Sequence, residues 1–351
     1  NMGIDMDENP EFYDVVCLIA EKIKDNIREL EGALTRVVSF SQLLKEKPDK
    51  AFAKRVLKDI LSGSEVTITP EKVVELFNKL NTPLKGNVAV KVHSGEKGNQ
   101  NFLKPEFWKP LVTLVNGTIV ECNTAYAGAR NETHKHQQLM REHGWTEHFN
   151  VDILDAEGPD DVLDIPEGQV IQKNYVGKNL ALYDSMLVLS HFKGHPMGGY
   201  GGALKQLSIG LASSAGKCYI HSAGATLSQK EVWGKTAPQN KFLESMADAA
   251  KSVIDFFDGN IVYVNVMKNL SVDCDCCEVA EDPCMKDIGI LASLDPVALD
   301  KACVDLIYQA TNDPGQKHFL KRLESRNGTH TIDAAENIGC GLKQYELIEI
   351  E

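Results

Sequence analysis

The stretch that decides the fold is the run Met186-Leu-Val-Leu-Ser190 together with the residues that follow it directly, His191-Phe-Lys-Gly-His-Pro-Met-Gly-Gly-Tyr-Gly-Gly-Ala-Leu-Lys205. A short, uninterrupted apolar run predicts a strand that is buried on both faces. The region from Leu204 to Ala212 then predicts a helix. In α/β folds, ligands collect beyond the carboxyl ends of the strands. The glycine-rich residues between this strand and this helix are therefore predicted to lie at a ligand site.

Strand and helix signals alternate on both sides of this stretch. Asp295 and Pro296 have the residue types of an N-cap and of a first helical position. The alternation predicts an α/β fold with largely parallel sheets and flanking helices, arranged as two lobes with a cleft. The predicted strands include 87–91, 118–122 and 260–265, and the predicted helices include 105–115, 134–143, 242–257 and 295–308.

Residues 1–62 differ from the rest of the chain. Their apolar residues recur at spacings of three and four, which predicts helices. We therefore expect an N-terminal helical extension at 1–62 and an α/β domain at 63–351. The two lobes of this domain are expected to divide near 185–190.

The overall charge argues against one class of partner. The chain has 351 residues and a formal net charge of −13, and it carries no basic stripe of the kind that binds nucleic acid. No apolar stretch approaches the ~20 residues that span a bilayer, and no signal peptide is visible. We expect a cytoplasmic protein that binds a small anionic ligand. Because the chain starts at Asn1, export with removal of a leader stays an alternative, and the oligomeric state is open.

The glycine-rich stretch carries the first group of candidate site residues. His191 should emerge at the end of the strand, and His195 should lie in a loop because its neighbouring Gly and Pro disfavour a helix. Lys205 follows in the first helical turn and offers a positive charge or a nucleophilic amine. The alternative is a flexible loop with solvent-exposed histidines. Four glycines allow positive φ and a close backbone approach to a ligand or cofactor, namely Gly198, Gly199, Gly201 and Gly202.

Four of the nine cysteines fall within eleven residues, at Cys274, Cys276, Cys277 and Cys284. Thiolates bind soft or borderline metals, so Cys274 and Cys276 are candidate metal ligands. The spacing matches neither the paired cysteines of zinc sites nor a ferredoxin run. A tight turn of mostly inert thiols is the alternative.

Two further loops offer polar residues. His93 and Glu96 follow the first predicted strand and are candidates for acid/base chemistry or for binding a cofactor, with a simple polar turn as the alternative. Arg130 follows the next strand and has the guanidinium geometry that clamps a carboxylate or phosphate. His134 and His136 are expected at a solvent-exposed helix start.

Several blocks along the chain resemble, in the same order, the domain-of-unknown-function 362 family, and the resemblance covers about residues 65–351. It implies an iron–sulfur-centre protein. Many relatives carry a ferredoxin-like insert with cluster-binding cysteines after the block equivalent to 216–222. Here the residues from Ala223 to Gln239 contain no cysteine, so a [4Fe–4S] cluster held in that way is not expected. The matching blocks are 88–99, 121–126, 190–195, 198–205, 273–276, 287–293, 295–298 and 324–330.

A shorter stretch of about thirty residues is similar to the nickel-pincer lactate racemase family. This resemblance implies that His195 is an acid/base residue, that Lys205 tethers the pincer cofactor and that His221 binds the metal. The second acid/base histidine of that family would fall near Ala129–Arg130, where this sequence has none. Arg130 or His134 would have to take its place, so racemisation by two bases is not implied.

Together these residues predict a metal- or cofactor-dependent enzyme that acts on a small anionic substrate by acid/base chemistry in a cleft between the lobes. Nickel and iron are the metals considered, and the reaction class is open between an isomerase or racemase and an oxidoreductase. Two alternatives remain. One is an iron–sulfur or thiolate redox protein, and the other is a non-catalytic protein that binds a small ligand.

Overall fold

The structure, a computed structural model, describes residues 10–22, 27–57 and 67–350. The chain divides into two compact units, Asn1–Val66 and Thr67–Glu351. Among the described residues, no helix combines the length and the apolarity that a membrane span requires.

The first unit is helical where it is described. Val15 and Ile19, one helical turn apart, are fully buried and share a small core with Val37 and Phe52. The spacing of three and four in the sequence therefore reflects one apolar face on each helix. The parts of the predicted extension at 1–9, 23–26 and 58–62 lie outside the described residues. The described helices of this unit are Pro10–Lys22, Ile27–Leu44 and Lys50–Val56.

The second unit is built on a six-stranded sheet. The strands of this unit are β1 Val88–Lys91, β2 Thr118–Glu121, β3 Val151–Ile153, β4 Asp161–Asp164, β5 Lys173–Val176, β6 Ser185–His191, β7 Lys193–His195, β8 Gly199–Gly201, β9 Ile261–Met267 and β10 Gly289–Ser293. The large sheet has the order β10-β9-β6-β1-β2-β3, and β4-β5 and β7-β8 form two separate pairs. Within the large sheet only the pairing of β10 with β9 is antiparallel. The predicted α/β class with a largely parallel sheet is confirmed.

Helices flank this sheet, and the one predicted to start at Asp295 and Pro296 begins as its sequence predicts. Asp295 caps the helix Pro296–Gln309, because its side chain accepts hydrogen bonds from Val297 N and Ala298 N. The helix Ser214–His221, which the sequence pattern did not predict, is capped in the same way by Ser213. The described helices of this unit are Pro70–Lys79, Pro105–Leu114, Thr133–Glu142, Trp145–His148, Ala203–Leu207, Ser214–His221, Gln239–Phe256, Pro296–Gln309, Gln316–Ser325 and His330–Asn337.

β6 lies at the centre of the sheet. Every residue of this strand is buried, which explains its continuous apolar run, and it pairs in parallel with β1 on one side and β9 on the other. The lobe division predicted near 185–190 falls within this strand. Strand order reverses between β1 and β6, since β2 and β3 follow on one side and β9 on the other. Ligands of open α/β sheets bind beyond the carboxyl ends of the strands at such a reversal.

The glycine-rich stretch after β6 differs from the predicted loop. It folds into the antiparallel pair of β7 and β8, in which His195 lies opposite Gly199. Gly199 has a φ of +81°, and a Cβ there would lie 2.7 Å from Gly328 Cα. Glycine is therefore required at this position for the turn and for packing against another loop. The helix that follows, Ala203–Leu207, is shorter than predicted and ends where Ser208 Oγ donates to Leu204 O.

The start of the helix Ala203–Leu207 is held by a buried carboxylate. Asp300 accepts hydrogen bonds from Ala203 N at 2.8 Å and Leu204 N at 3.0 Å. It also accepts from Tyr200 OH at 3.1 Å and from Asn265 Nδ2 at 2.8 Å. The anion cradle expected at this helix start is thus occupied by a carboxylate of the chain itself, and burial raises the pKa of Asp300 to about 6.

Replacing Asp300 with Ala should lower the free energy of unfolding by about 3 kcal/mol, because four buried donors lose their acceptor together. Chemical denaturation measures this change. As a control, Asp255→Ala removes a carboxylate that is 55% exposed and paired with Lys251, and should change stability by less than about 1 kcal/mol. Equal losses in the two variants would show that Asp300 does not have this role.

Candidate functional site

The loops that follow four parallel strands meet at the carboxyl-terminal edge of the sheet. They bring His93 from the loop after β1, Arg130 from the loop after β2, His195 from the hairpin after β6 and Cys276 from the loop after β9. All four side chains line a cavity of about 320 Å³. This volume is at the lower end of the range for small-molecule sites. The candidate site therefore lies where the strand order reverses.

One wall of this site carries three possible metal donors. The ligand atoms of His93, Cys274 and Cys276 all lie within 4.8 Å of one another. Cys274 is buried behind the wall, whereas His93 and Cys276 line the cavity. Cys284, the most distant cysteine of the sequence cluster, does not belong to this group and directs its Sγ to Leu270 O. Of the predicted ligands, Cys274 and Cys276 are thus brought together, and His93 joins them.

The loop that carries both cysteines is anchored by Asp275. Its carboxylate lies 2.9 Å from His191 Nδ1 and 2.8 Å from Lys193 Nζ, with all three side chains buried. His191 Nε2 contacts Lys268 O at 2.6 Å, so both nitrogens of this ring are used in structural contacts. Burial alone would raise the pKa of Asp275, but His191 and Lys193 hold that pKa well below its usual range. The ionised carboxylate therefore fixes the position of the cysteines on either side of it.

The loop after β1 is tied to the same cysteine turn. Glu96 N donates to Asp275 O at 2.8 Å, and Asn99 Nδ2 donates to Cys277 O at 2.9 Å. Burial raises the pKa of the Cys274 thiol to about 11. Without a metal this side chain is therefore a thiol at neutral pH, and a metal must displace its proton to bind.

His195 has a hydrogen-bonding pattern that fixes its tautomer. Its Nδ1 accepts from Met197 N at 3.1 Å and from Gly198 N at 2.8 Å. The ring proton must therefore lie on Nε2, which is 3.8 Å from Cys276 Sγ. Burial, with Lys205 nearby, lowers the pKa of His195 to about 4. In this arrangement the ring is a neutral donor at physiological pH.

Arg130 and Glu96, both predicted to contact a ligand, instead contact each other. Arg130 Nε donates to Glu96 Oε2 at 3.2 Å, its second terminal nitrogen donates to Tyr126 OH at 2.8 Å, and its first lies 3.6 Å from Glu121 Oε1. Lys91 pairs with Glu121 at 2.6 Å. Burial raises the pKa of Glu121, but Lys91 and Arg130 outweigh burial and bring that pKa to about 2. The guanidinium is thus held between two carboxylates on one side of the cavity.

A second group of cations on the cavity wall has no such partners. Lys205 and Lys217 both line the cavity, and neither forms an ion pair with any described residue. Lys217 Nζ donates to Ala212 O at 2.5 Å. His221, predicted as a metal ligand, lies on the same helix as Lys217, outside the group of His93, Cys274 and Cys276. Its Nδ1 contacts Lys217 O at 2.7 Å, and its ring stacks on Phe242.

The sequence pattern misplaced some residues of this region. The cavity wall does not include Gly198, Gly199, Gly201 or Gly202, whose conformations serve the hairpin and the Asp300 contact. His134 is exposed as expected, but the expectation that His136 is exposed is wrong, because His136 is fully buried. The helix Thr133–Glu142 directs position 136 inward along with Leu139 and Met140. Lys217 and Gln206 line the cavity without having been predicted, since isolated Lys and Gln residues carry no spacing signal.

A sequence model of the family described as "Domain of unknown function (DUF362)" matches residues 88–305. The match covers more than half of the chain and includes the strands and loops that form the candidate site. The chain therefore belongs to this family of α/β proteins, as the sequence blocks predicted. The first unit, Asn1–Val66, lies outside the match.

Two curated proteins resemble the chain over a short segment. A chromosomal replication initiator protein DnaA from Thermoanaerobacter sp. (strain X514) is 48% identical over 62 residues, which is 18% of this chain and 14% of that protein. The DnaA protein of Cutibacterium acnes is 47% identical over 62 residues, 17% of this chain and 12% of that protein. The chain thus spans about one seventh of the length of these relatives, and nothing about replication follows for it.

Two solved structures are similar to part of the backbone of this chain. The lactate racemase apoprotein from Thermoanaerobacterium thermosaccharolyticum gives a TM-score of 0.41 at 15% identity, covering 69% of this chain and 56% of that one. A protein from Thermotoga maritima gives a TM-score of 0.38 at 11% identity, covering 77% of this chain and 59% of that one. The similarity to lactate racemase noted in the sequence is thus found again, but likeness at this level carries no argument about chemistry.

Buried His136 should make stability depend on pH. Burial lowers the pKa of this ring from 6.5 to about 3, and its Nε2 lacks a hydrogen-bond partner among the described residues. The unfolded chain therefore takes up a proton at a pH where the folded chain does not. The stability that His136 contributes is complete above pH 6.5 and is lost as the pH falls from there towards about 3.

In denaturant titrations, His136→Gln should remove about 2 kcal/mol of the stability difference between about pH 7.5 and about pH 5. The matched control is His134→Gln, two residues earlier and 73% exposed, which should leave the pH dependence unchanged. The explanation fails if the pH dependence is the same in wild type and His136→Gln.

Proposed function

We propose that the chain is a metal-dependent enzyme that acts on a small anionic substrate by acid/base chemistry. One observation carries the proposal. The donor atoms of His93, Cys274 and Cys276 lie within 4.8 Å of one another, beside a cavity whose wall also holds unpaired ammonium groups. A soft donor set and a wall that attracts anions are thus combined in one cavity.

The three donors fit a borderline or soft metal. Two thiolates and one imidazole are ligands of zinc, iron and nickel sites, and three protein ligands leave a coordination position open for a substrate. The His93 ring accepts a hydrogen bond at Nδ1 from Gly95 N at 3.1 Å. If Nε2 held the metal, the ring proton would have to be on Nδ1 and this hydrogen bond would be lost. A metal held there would supply Lewis acidity towards a substrate oxygen.

The chain's own residues supply the rest of the chemistry. His195 keeps its proton on Nε2, because Nδ1 is occupied by two backbone N–H groups, and the neutral ring is suited to donating a hydrogen bond to a substrate oxygen. Accepting a proton would require Nδ1 to lose both contacts. The role that His195 supports is therefore that of a neutral hydrogen-bond donor that polarises a substrate oxygen. Lys205 lies on the same cavity wall and contributes its charge or its amine.

The metal content of cysteine variants tests the proposal. Anaerobically purified full-length chain, loaded with iron, nickel or zinc and then desalted, should retain about one transition metal per chain by elemental mass spectrometry. Cys274→Ser and Cys276→Ser should each reduce the retained metal at least tenfold, because each removes one of three donors.

Cys284→Ser is the matched control, since Cys284 belongs to the same sequence cluster but not to the donor group. It should retain metal as the wild type does. Failure of the wild type to retain any metal above trace, or equal loss in all three variants, would refute the proposal. Iron recovered together with acid-labile sulfide and visible absorbance would favour a redox protein instead.

Asp275 should control metal affinity without touching the metal. Asp275→Asn removes the charge that His191 and Lys193 hold, so the flanking cysteines lose their fixed position, and metal affinity should fall about 10–100-fold. Competition with a chromophoric chelator measures the affinity. Asp273→Asn, two residues earlier, changes a carboxylate that contacts Arg322 at 3.4 Å and accepts from Glu281 N at 3.1 Å, and should change the metal affinity less than threefold. Similar affinities in the wild type and Asp275→Asn would remove Asp275 from the account.

A further inference from the structure

We propose that Lys205, Gln206 and Lys217 form an anion-binding subsite that selects ligands with two negative charges, either a small dicarboxylate or a phosphate monoester. The inference rests on the proposed function for its claim that the bound anion is the substrate. It adds the residues of the subsite and the charge of the ligand.

The three side chains come from two neighbouring elements and line one cavity. Lys205 and Gln206 lie on the helix Ala203–Leu207, and Lys217 lies on the helix Ser214–His221. Gln206 is 6% exposed, and its side-chain Nε2 has no hydrogen-bond partner among the described residues. A buried amide donor without a partner costs stability, so its place on a cavity wall beside two lysines indicates that a ligand supplies the acceptor.

The cationic side chains around the cavity fall into two groups, those that form an ion pair with a carboxylate and those that do not. Lys91 is neutralised by Glu121 and Arg130 by Glu96. Lys205 and Lys217 lack such partners, although Lys217 is buried. Asp160 is within electrostatic reach of Lys217, but its carboxylate accepts from Ser213 Oγ and forms no ion pair with the lysine. Both lysines are therefore left without an ion-pair partner on the cavity wall.

A metal on the group of His93, Cys274 and Cys276 would not supply a counter-charge to these lysines. A divalent ion bound by two thiolates and a neutral imidazole has no net charge. Burial lowers the pKa of His221, which also lines the cavity, to about 4. With such a metal bound, Lys205 and Lys217 would therefore still lack an ion-pair partner. A buried or half-buried charge without a counter-charge is unfavourable, so a dianion matches two unpaired lysines better than a monoanion does.

The apolar residues of the cavity indicate what the uncharged part of the ligand is. Met197, Trp233 and Phe242 line the cavity near His221, which stacks on Phe242 at 4.8 Å and meets Trp233 edge-on at 5.6 Å. These side chains offer apolar and aromatic contact to a flat or branched group. The ligand class is thus a dianion with a small apolar body.

Fluorescence of Trp233 provides the test. Trp108 and Trp145 are buried and do not line the cavity, so quenching that disappears in Trp233→Phe reports ligand in the cavity. The full-length chain is titrated at about pH 8 with phenyl phosphate, phenylsuccinate and phenylacetate, which share an aromatic ring and differ in charge. At least one of the two dianions should bind at least tenfold more tightly than the monoanion, and the tighter one identifies the source as phosphate or dicarboxylate.

Variants of the two lysines test whether the subsite causes the preference for dianions over the monoanion. Lys205→Met and Lys217→Met should each reduce dianion affinity at least tenfold and abolish the preference over phenylacetate, whereas Lys205→Arg should keep it. Lys251→Met, which removes a lysine paired with Asp255 outside the cavity, is the matched control and should bind as the wild type does. Equal affinity for all three anions, no binding of any of them, or a preference unchanged in both methionine variants would overturn the inference.

The outcome is separable from that of the proposed function. Cys276→Ser should lose metal but keep dianion binding, because Cys276 belongs only to the donor group. If the wild type binds no metal yet prefers dianions, the metal-dependent function fails and the subsite stands. If metal binds and no dianion preference is seen, the subsite fails and the metal site stands.

Discussion

The buried contact of Asp275 with His191 and Lys193 is the interaction on which the candidate site depends. Asp275 comes from the loop after β9, and its two partners come from the end of β6 and from β7. A buried carboxylate that lost one of these partners would be left with an uncompensated charge, which is strongly unfavourable. The contact therefore fixes the cysteine turn against the centre of the sheet.

The same arrangement explains why the site has two chemically different walls. Parallel strands deliver their following loops to one edge, and the reversal of strand order between β1 and β6 leaves space there. The loops after β1 and β9 supply the imidazole and thiol donors. The two helices that follow the hairpin supply Lys205 and Lys217. His195 lines the same cavity and presents an Nε2 proton whose position is set by backbone groups.

Much of the fold was predictable because it depends on local patterns. The apolar run of β6 and the Asp295-Pro296 helix start are signals within a few residues, and both correspond to observed elements. The donor group was only half predictable. Cys274 and Cys276 are close in sequence, whereas His93 lies far from them along the chain. Only the sheet topology brings the three donors together.

Other residues could not be assigned from sequence because their partners decide their role. Arg130 has the chemistry to bind a substrate carboxylate, yet Glu96 and Glu121 occupy it. The glycines before Lys205 resemble an anion cradle, but Asp300 fills that place from a helix almost one hundred residues later. Lys217 and Gln206 belong to no sequence motif. Their candidate role follows only from the structure, in which Lys217 has no ion-pair partner and Gln206 Nε2 has no hydrogen-bond partner among the described residues.

The most direct test of the central claim is X-ray absorption spectroscopy of the metal-loaded, full-length chain. The account predicts a first shell with two sulfur ligands and one imidazole nitrogen, completed by oxygen or nitrogen from solvent, and the loss of one sulfur in Cys276→Ser. A shell of oxygen and nitrogen alone, or one of four sulfurs, would contradict a site built from His93, Cys274 and Cys276.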